Sequence, residues 1–147
     1  MKVLVFEGIA TSGKSTIIHS LSVHLSTSVK AVVYEESDTH IPIMDQLNGL
    51  HLDFFEDLIN KAVDQNPDVI IFDRLYLTQA FRARADLRDY ADTEDLLLEY
   101  STTTIFLKVD EASLVDRIQK AVKHRDPRWA DYLSTKSELV DQNCTHQ

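Results

Sequence analysis

Two glycines lie five residues apart near the start of the chain, in a sequence that contains only three. Gly8 and Gly13 belong to the pattern G-x-x-x-x-G-K-S, which Lys14 and Ser15 complete. Glycine suits a loop that bends so closely around a phosphate that backbone N–H groups contact its oxygens. A lysine here can reach the β- and γ-phosphates of a nucleotide, and a serine hydroxyl can ligate Mg²⁺. We therefore predict contacts with a bound nucleotide from Gly8, Ile9, Ala10, Thr11, Ser12, Gly13, Lys14, Ser15 and Thr16.

The elements on either side of this loop fit the same chemistry. Residues 2–6 (KVLVF) form a short apolar run that is typical of a strand, and residues 15–25 (STIIHSLSVHL) carry apolar side chains at helical spacing. The loop thus leads from a strand into the N-terminus of a helix. That terminus offers unpaired N–H donors and the positive end of the helix dipole to an anion.

A second polar pair follows a fully apolar run. Asp73 and Arg74 come directly after residues 69–72 (VIIF), the pattern of a strand that is covered on both faces. Ligands of parallel sheets gather at the carboxyl ends of the strands, where the glycine loop also lies. We predict that Asp73 holds Mg²⁺, directly or through water, together with Ser15. Arg74 would then contact a phosphate of the second substrate.

Strand and helix patterns alternate along the rest of the chain. Further strands are predicted at residues 29–34 and 103–109. Helices are predicted at residues 78–84, 93–100 and 111–122, at residues 43–65 as one helix or as two broken near Gly49, and around Trp129, Tyr132 and Leu133. This order indicates an α/β fold, a three-layer parallel sheet of four strands with helices on both faces. No linker or repeat divides the chain, so we expect one domain over residues 1–147.

Composition restricts the class of partner. The formal net charge of −9 repels the backbones of nucleic acids, so we expect no nucleic acid polymer. No apolar run reaches the roughly 20 residues that a membrane span needs, and the first apolar run is too short for a signal peptide. Cys144 is the single cysteine and cannot form an internal disulfide. We expect a cytoplasmic protein without a membrane partner.

One segment departs from the acidic character of the chain. Residues 117–130, here called the basic segment, contain Arg117, Lys120, Lys123, His124, Arg125 and Arg128. A solvated helix face is the simplest explanation of such a charge run. The alternative is a local cluster that captures an anionic ligand.

The motifs together resemble a known superfamily. Residues 5–16 (VFEGIATSGKST) look like the opening of thymidylate kinases and, slightly less closely, of deoxynucleoside kinases. Residues 70–74 (IIFDR) resemble the Asp-Arg motif of the first family and the Glu-Arg motif of the second. Residues 106–118 (FLKVDEASLVDRI) are similar to the fourth strand and following helix, and residues 120–129 (KAVKHRDPRW) to the basic lid. The resemblance covers most of the chain.

The resemblance implies a phosphotransferase that moves the γ-phosphoryl of ATP-Mg²⁺ to a nucleoside or a nucleoside monophosphate. Lys14 would then bind the donor phosphates and Arg74 the acceptor or the transferring phosphoryl. Arginines of the basic segment would close over the developing charge, with Arg125 catalytic and Arg117 and Arg128 on the nucleotide. Members of these families are often dimers, so a homodimer is left open.

The sequence leaves open which residue would act as the general base. Glu35 and Glu36 follow the second strand, where deoxynucleoside kinases carry the glutamate that accepts the proton of the attacking hydroxyl. Neither family's proline follows, because Ser37 takes its place. We name Glu35 as the candidate and keep Glu36 as the alternative.

Some departures keep two other functions open. Ala10 and Thr11 stand where thymidylate kinases usually have an acidic residue and a glycine, which favours a kinase for another small hydroxyl compound such as a sugar or an antibiotic. The family's fifth strand has no counterpart in the sequence, which favours an ATP-binding regulatory module with little turnover. The identity of the acceptor separates these hypotheses.

Overall fold

The computed structural model describes residues 1–46 and 49–122. Four strands are formed: β1 (Lys2–Glu7), β2 (Ala31–Tyr34), β3 (Val69–Asp73) and β4 (Ser101–Phe106). The α-helices are α1 (Lys14–Leu25), the one-turn α2 (Glu36–Thr39), α3 (Leu52–Val63), α4 (Tyr76–Ala83), α5 (Ala91–Leu98) and α6 (Glu111–Val122). Two 3₁₀ helices cover Ile41–Gln46 and Leu87–Tyr90.

The strands form one parallel sheet in the order β2-β3-β1-β4. Lys2 lies opposite Val69 on one side and Ser101 on the other, so β1 is an inner strand. Helices α3 and α5 pack together over the sheet face that carries Val5 and Phe72, and α1 packs on β1, β2 and β3. The predicted α/β class with helices on both faces of a parallel sheet is confirmed.

The core lies mainly under α3 and α5. Every residue of β3 is buried, which agrees with its continuous apolar run. Phe55 and Ile59, one turn apart on α3, pack in one cluster with Val5 and Phe72 of the sheet. This packing adds to the sheet pairing of Val5 with Phe72 and of Phe6 with Asp73, which places the ends of β1 and β3 side by side.

Among the boundaries that differ from the predicted ones, that of the fourth strand has a clear structural cause. The fourth strand was expected at residues 103–109 but spans Ser101–Phe106. Its pairing runs from Lys2–Ser101 to Glu7–Phe106, and β1 ends at Glu7, so β4 has no partner strand beyond Phe106. For residues 43–65, the alternative of two helices broken near Gly49 is the observed one: the 3₁₀ helix ends at Gln46, and α3 begins at Leu52, after His51 in a left-handed conformation (φ 56°).

The chain separates into two compact units. The first contains Met1–Gly8 and Lys14–Phe106, and hence the whole sheet. The second contains Ile9–Gly13 and the chain from Leu107 onward. Arg125, Arg128 and the predicted final helix around Trp129 lie outside the described residues. Among the described helices, none is both long and apolar enough to cross a membrane.

Candidate functional site

Lys14 lies at the junction of β1 and α1 within the first unit. Its side chain is buried, and Nζ donates a 3.1 Å hydrogen bond to the carbonyl oxygen of Gly8. Burial and, less strongly, the Arg74 guanidinium lower the pKa of Lys14 to about 8, although the Asp73 carboxylate acts in the opposite direction. A partly desolvated ammonium of this kind is well suited to an anionic ligand.

Asp73 is the last residue of β3 and lies opposite Phe6 in the sheet register. The Ser15 hydroxyl donates a 3.0 Å hydrogen bond to Asp73 Oδ2. Asp73 Oδ1 is buried and has no hydrogen-bond partner within residues 1–46 and 49–122. Burial raises the pKa of the Asp73 carboxyl, whereas the Lys14 charge and the Ser15 hydrogen bond lower it. The predicted pair of oxygen ligands is therefore close together, and one buried oxygen is left for a cation or water.

Arg74 takes an unusual backbone conformation for a non-glycine residue, with φ at 69°. Its backbone N–H donates a 2.9 Å hydrogen bond to the Phe6 carbonyl oxygen. Its Nε lies 3.2 Å from Glu36 Oε1, and Arg82 Nη2 lies 3.9 Å from the same oxygen. Glu36 thus lies between two guanidinium groups, at the carboxyl ends of β2 and β3.

The two candidate bases face different surroundings. Glu35 is exposed, and its backbone N–H donates to Asp38 Oδ2 at 2.9 Å. Glu36, the first residue of α2, is half-buried and paired with Arg74. Adjacent residues at a helix start do not share a face, and Glu36 is the one of the two whose carboxylate pairs with Arg74. Sequence reasoning could not choose between them.

A cavity of about 240 Å³ opens beside Ser15 and Asp73. One side is formed by the α1 residues Ser15, Ile18, His19 and Ser22, and the other includes Glu35 and Glu36. Ile18, His19 and Ser22 were not predicted as site residues. Their spacing of three, four and seven residues from Ser15 places them on one helix face, and this signal was present in the sequence.

The second unit contains the middle of the glycine loop. Ser12 N–H donates to the Ile9 carbonyl oxygen at 3.3 Å, and Thr11 and Gly13 both have positive φ, at 68° and 94°. Arg117, on α6, donates from Nη1 to the Thr11 carbonyl oxygen at 3.4 Å. Of the three arginines predicted in the basic segment, Arg117 alone is described, and it contacts the loop backbone.

Comparison with known proteins gives structural matches only. Protein-family models and curated sequences were searched, and neither set contains a match. The crystal structure of APE1195 matches with a TM-score of 0.54 and 19% identity over 95% of this chain and 73% of that one. Polyphosphate kinase 2 from Arthrobacter aurescens TC1 matches with a TM-score of 0.54 and 19% identity over 86% of this chain, which spans 46% of that longer protein.

Deoxyadenosine kinase from M. mycoides matches with a TM-score of 0.43 and 22% identity, over 99% of this chain and 86% of that one. A TM-score at this level is too low to support an argument. At 19% identity, the two better matches show a shared fold and no more than that.

Proposed function

We propose that this chain is a phosphotransferase that moves the γ-phosphoryl of ATP-Mg²⁺ to a nucleoside or a nucleoside monophosphate. The observation that carries the proposal is the meeting of three groups at the carboxyl ends of neighbouring parallel strands. These groups are the buried ammonium of Lys14, the Ser15–Asp73 pair and the Arg74–Glu36 pair. Each matches one requirement of phosphoryl transfer: donor binding, metal binding and an acceptor side.

Donor binding is assigned to Lys14 and to the loop that precedes it. The G-x-x-x-x-G-K-S pattern of residues 8–15 supports contacts from the loop N–H groups to the phosphates. The Lys14 ammonium already has a carbonyl partner in Gly8 and would exchange it for phosphate oxygens. Because the lysine is buried, its attraction to a triphosphate is less screened than at the surface.

Mg²⁺ binding is assigned to Ser15 and Asp73. The hydroxyl and the carboxylate are hard oxygen ligands, and the buried Oδ1 of Asp73 has no hydrogen-bond partner among the described residues, so the pair fits this ion. A bound Mg²⁺ would neutralise charge on the donor phosphates.

The acceptor side is assigned to Arg74 and Glu36. In the proposed reaction an acceptor oxygen attacks the γ-phosphorus, the bond to the β–γ bridging oxygen breaks, and ADP leaves. A nucleoside hydroxyl would give its proton to a carboxylate, whereas a monophosphate oxygen needs no base. The half-buried position of Glu36 beside Arg74 favours it over the exposed Glu35 as that base. The roles of Arg117, Arg125 and Arg128 in closing over the reacting groups remain predictions.

Product analysis tests the proposal. The protein is incubated with ATP-Mg²⁺ and a panel of nucleosides, nucleoside monophosphates, sugars and aminoglycosides, and mass spectrometry detects any acceptor that has gained one phosphoryl group. We expect a nucleoside or a monophosphate to be modified. Modification of a sugar or an aminoglycoside alone would instead favour the second hypothesis, and ATP binding without any transfer would favour the regulatory module.

A further inference from the structure

Glu7 is a buried carboxylate that the reaction described above does not use. It is the last residue of β1, and 2% of its surface is exposed. Its Oε1 accepts a 2.9 Å hydrogen bond from the backbone N–H of Leu75, and its Oε2 accepts one from the hydroxyl of Thr78. Burial raises the pKa of this carboxyl, whereas the hydrogen bonds from Thr78 and Leu75 lower it. Both partners lie at the start of α4, 68 and 71 residues further along the chain.

Helix α4 lacks a capping side chain of its own. Leu75 occupies the N-cap position and makes no side-chain hydrogen bond there, since leucine has no polar atom to offer. Glu7 supplies the missing acceptor from β1. Its carboxylate also lies at the positive end of the helix dipole, which favours a negative charge. The strand end and the helix start are therefore tied together by one side chain.

The backbone at Arg74 is held by two hydrogen bonds to the end of β1. Its own N–H is bonded to the Phe6 carbonyl oxygen at 2.9 Å, and the next N–H, of Leu75, is bonded to Glu7. Arg74 has φ at 69°, a left-handed conformation that is strained for a non-glycine residue. Such a conformation persists only where the surrounding structure holds it. Phe6 and Glu7 are that surrounding structure.

We infer that Glu7 is a positioning residue that holds the strained turn at Arg74 and thereby directs the guanidinium toward Glu36. The 3.2 Å approach of Arg74 Nε to Glu36 Oε1 is its geometric result. The significance of this position for phosphoryl transfer rests on the proposed function, but the positioning itself does not. Thr78 acts with Glu7, because its hydroxyl holds the second carboxylate oxygen.

The chain offers a graded set of variants. In Glu7→Gln, the amide oxygen can still accept from Leu75, and the amide nitrogen can donate to the Thr78 oxygen, so both contacts are kept. Glu7→Met has a similar volume and loses both. Tyr76→Phe is the matched control, since it removes a 2.6 Å hydrogen bond between the same helix and Glu94 without touching Glu7.

The side-chain Nε–H signal of Arg74 in ¹⁵N NMR reports the position of its guanidinium. The signal is assigned by its disappearance in Arg74→Lys. We expect the signal to keep its chemical shift in Glu7→Gln and in Tyr76→Phe, and to move in Glu7→Met toward the shift of solvent-exposed arginines. With an identified acceptor, kcat of Glu7→Met should fall about 10- to 100-fold, while the Kd for ATP-Mg²⁺ stays within a factor of about three.

An unchanged Arg74 signal in folded Glu7→Met would overturn the inference, as would an equal displacement in Tyr76→Phe. If Glu7→Met does not fold, Thr78→Val takes its place with Thr78→Ser as the conservative rescue, and the signal must move in the first and return in the second. Failure of the proposed function gives a different result: no variant transfers a phosphoryl group, yet the NMR signals follow the expected order.

Discussion

Ser15 and Asp73, 58 residues apart in sequence, are joined by a 3.0 Å hydrogen bond from the serine hydroxyl to Asp73 Oδ2. The bond connects the first turn of α1 with the end of β3. It leaves Asp73 Oδ1 buried and without a hydrogen-bond partner in the described part of the chain. The relationship therefore brings together the two oxygen atoms that we propose as Mg²⁺ ligands before any ion is bound.

The first prediction concerns the metal requirement. Asp73→Asn keeps an oxygen that can accept from Ser15 but removes the negative charge that attracts Mg²⁺. We expect the Mg²⁺ concentration needed for half-maximal ATP binding to rise about 10- to 100-fold. Titration of ATP binding with Mg²⁺ measures this. Asp68→Asn is the control, because Asp68 is exposed and bonded to the Lys30 N–H before β3 begins. Equal Mg²⁺ requirements in both variants would contradict the assignment.

The second prediction separates the two adjacent glutamates. With a nucleoside acceptor, Glu36→Gln should lower kcat by about 10²- to 10⁴-fold, because it removes the proposed proton acceptor and the charge partner of Arg74. Glu35→Gln should cause a smaller loss, since Glu35 is exposed. Steady-state kinetics of the two variants measure the order. A larger loss at Glu35 would restore it as the base.

The third prediction is a linkage between ATP binding and protons. The pKa of Lys14, which burial lowers to about 8, means that the free protein loses this charge as the pH rises above 8. A bound triphosphate favours the ammonium form, so ATP binding should take up close to one proton at pH 9 and almost none at pH 7. The affinity for ATP should fall as the pH rises above 8.

Calorimetry in buffers of different ionisation enthalpy measures that proton uptake. Lys14→Arg is the informative variant, because a guanidinium stays charged throughout this range. Its ATP binding should take up no proton at pH 9. Proton uptake that persists in Lys14→Arg would assign the linkage to another group.

The fourth prediction concerns stability in acid. His40 is buried, with Nδ1 at 3.2 Å from the Thr39 hydroxyl. Burial, followed by the charges of Arg82, Arg74 and Lys14, lowers the pKa of His40 to about 2. The unfolded chain binds a proton at this histidine below about pH 6.5 and the folded chain does not, so the stability that is present above pH 6.5 is lost as the pH falls.

Denaturant unfolding at several pH values between 6.5 and 4.5 measures the slope of the free energy of unfolding against pH. We expect His40→Gln to reduce it by up to about 1.4 kcal/mol per pH unit, which corresponds to one proton. His24→Gln, on the exposed surface of α1, shows how much any histidine substitution changes the slope. Equal slopes in wild-type protein and His40→Gln would refute the assignment.

The positions of the glycine loop after β1 and of Asp73 at the end of β3 could be predicted from sequence because each is specified locally. The loop is one continuous motif, and Asp73 follows a strand whose four apolar residues leave no doubt about its burial. The pairing of Arg74 with Glu36 was not predictable, because it depends on a positive φ at Arg74 and on the direction of one of two adjacent carboxylates. The end of β4 was predicted too far along the chain. The strand ends at Phe106 because its partner β1 ends at Glu7, whereas the apolar Leu107 and Val109 extend the strand-like sequence pattern beyond that point.

In the proposed function, ATP turnover depends on both Lys14 and an acceptor. The most direct measurement is the rate of ADP formation from ATP-Mg²⁺, with and without each nucleoside or nucleoside monophosphate, in wild-type protein and in Lys14→Ala. We predict that one acceptor class raises the wild-type rate and that Lys14→Ala lowers that rate by about 10²- to 10³-fold, as expected for the loss of one charge-stabilising donor. ADP formation that no acceptor accelerates, or that is as fast in Lys14→Ala, would contradict it.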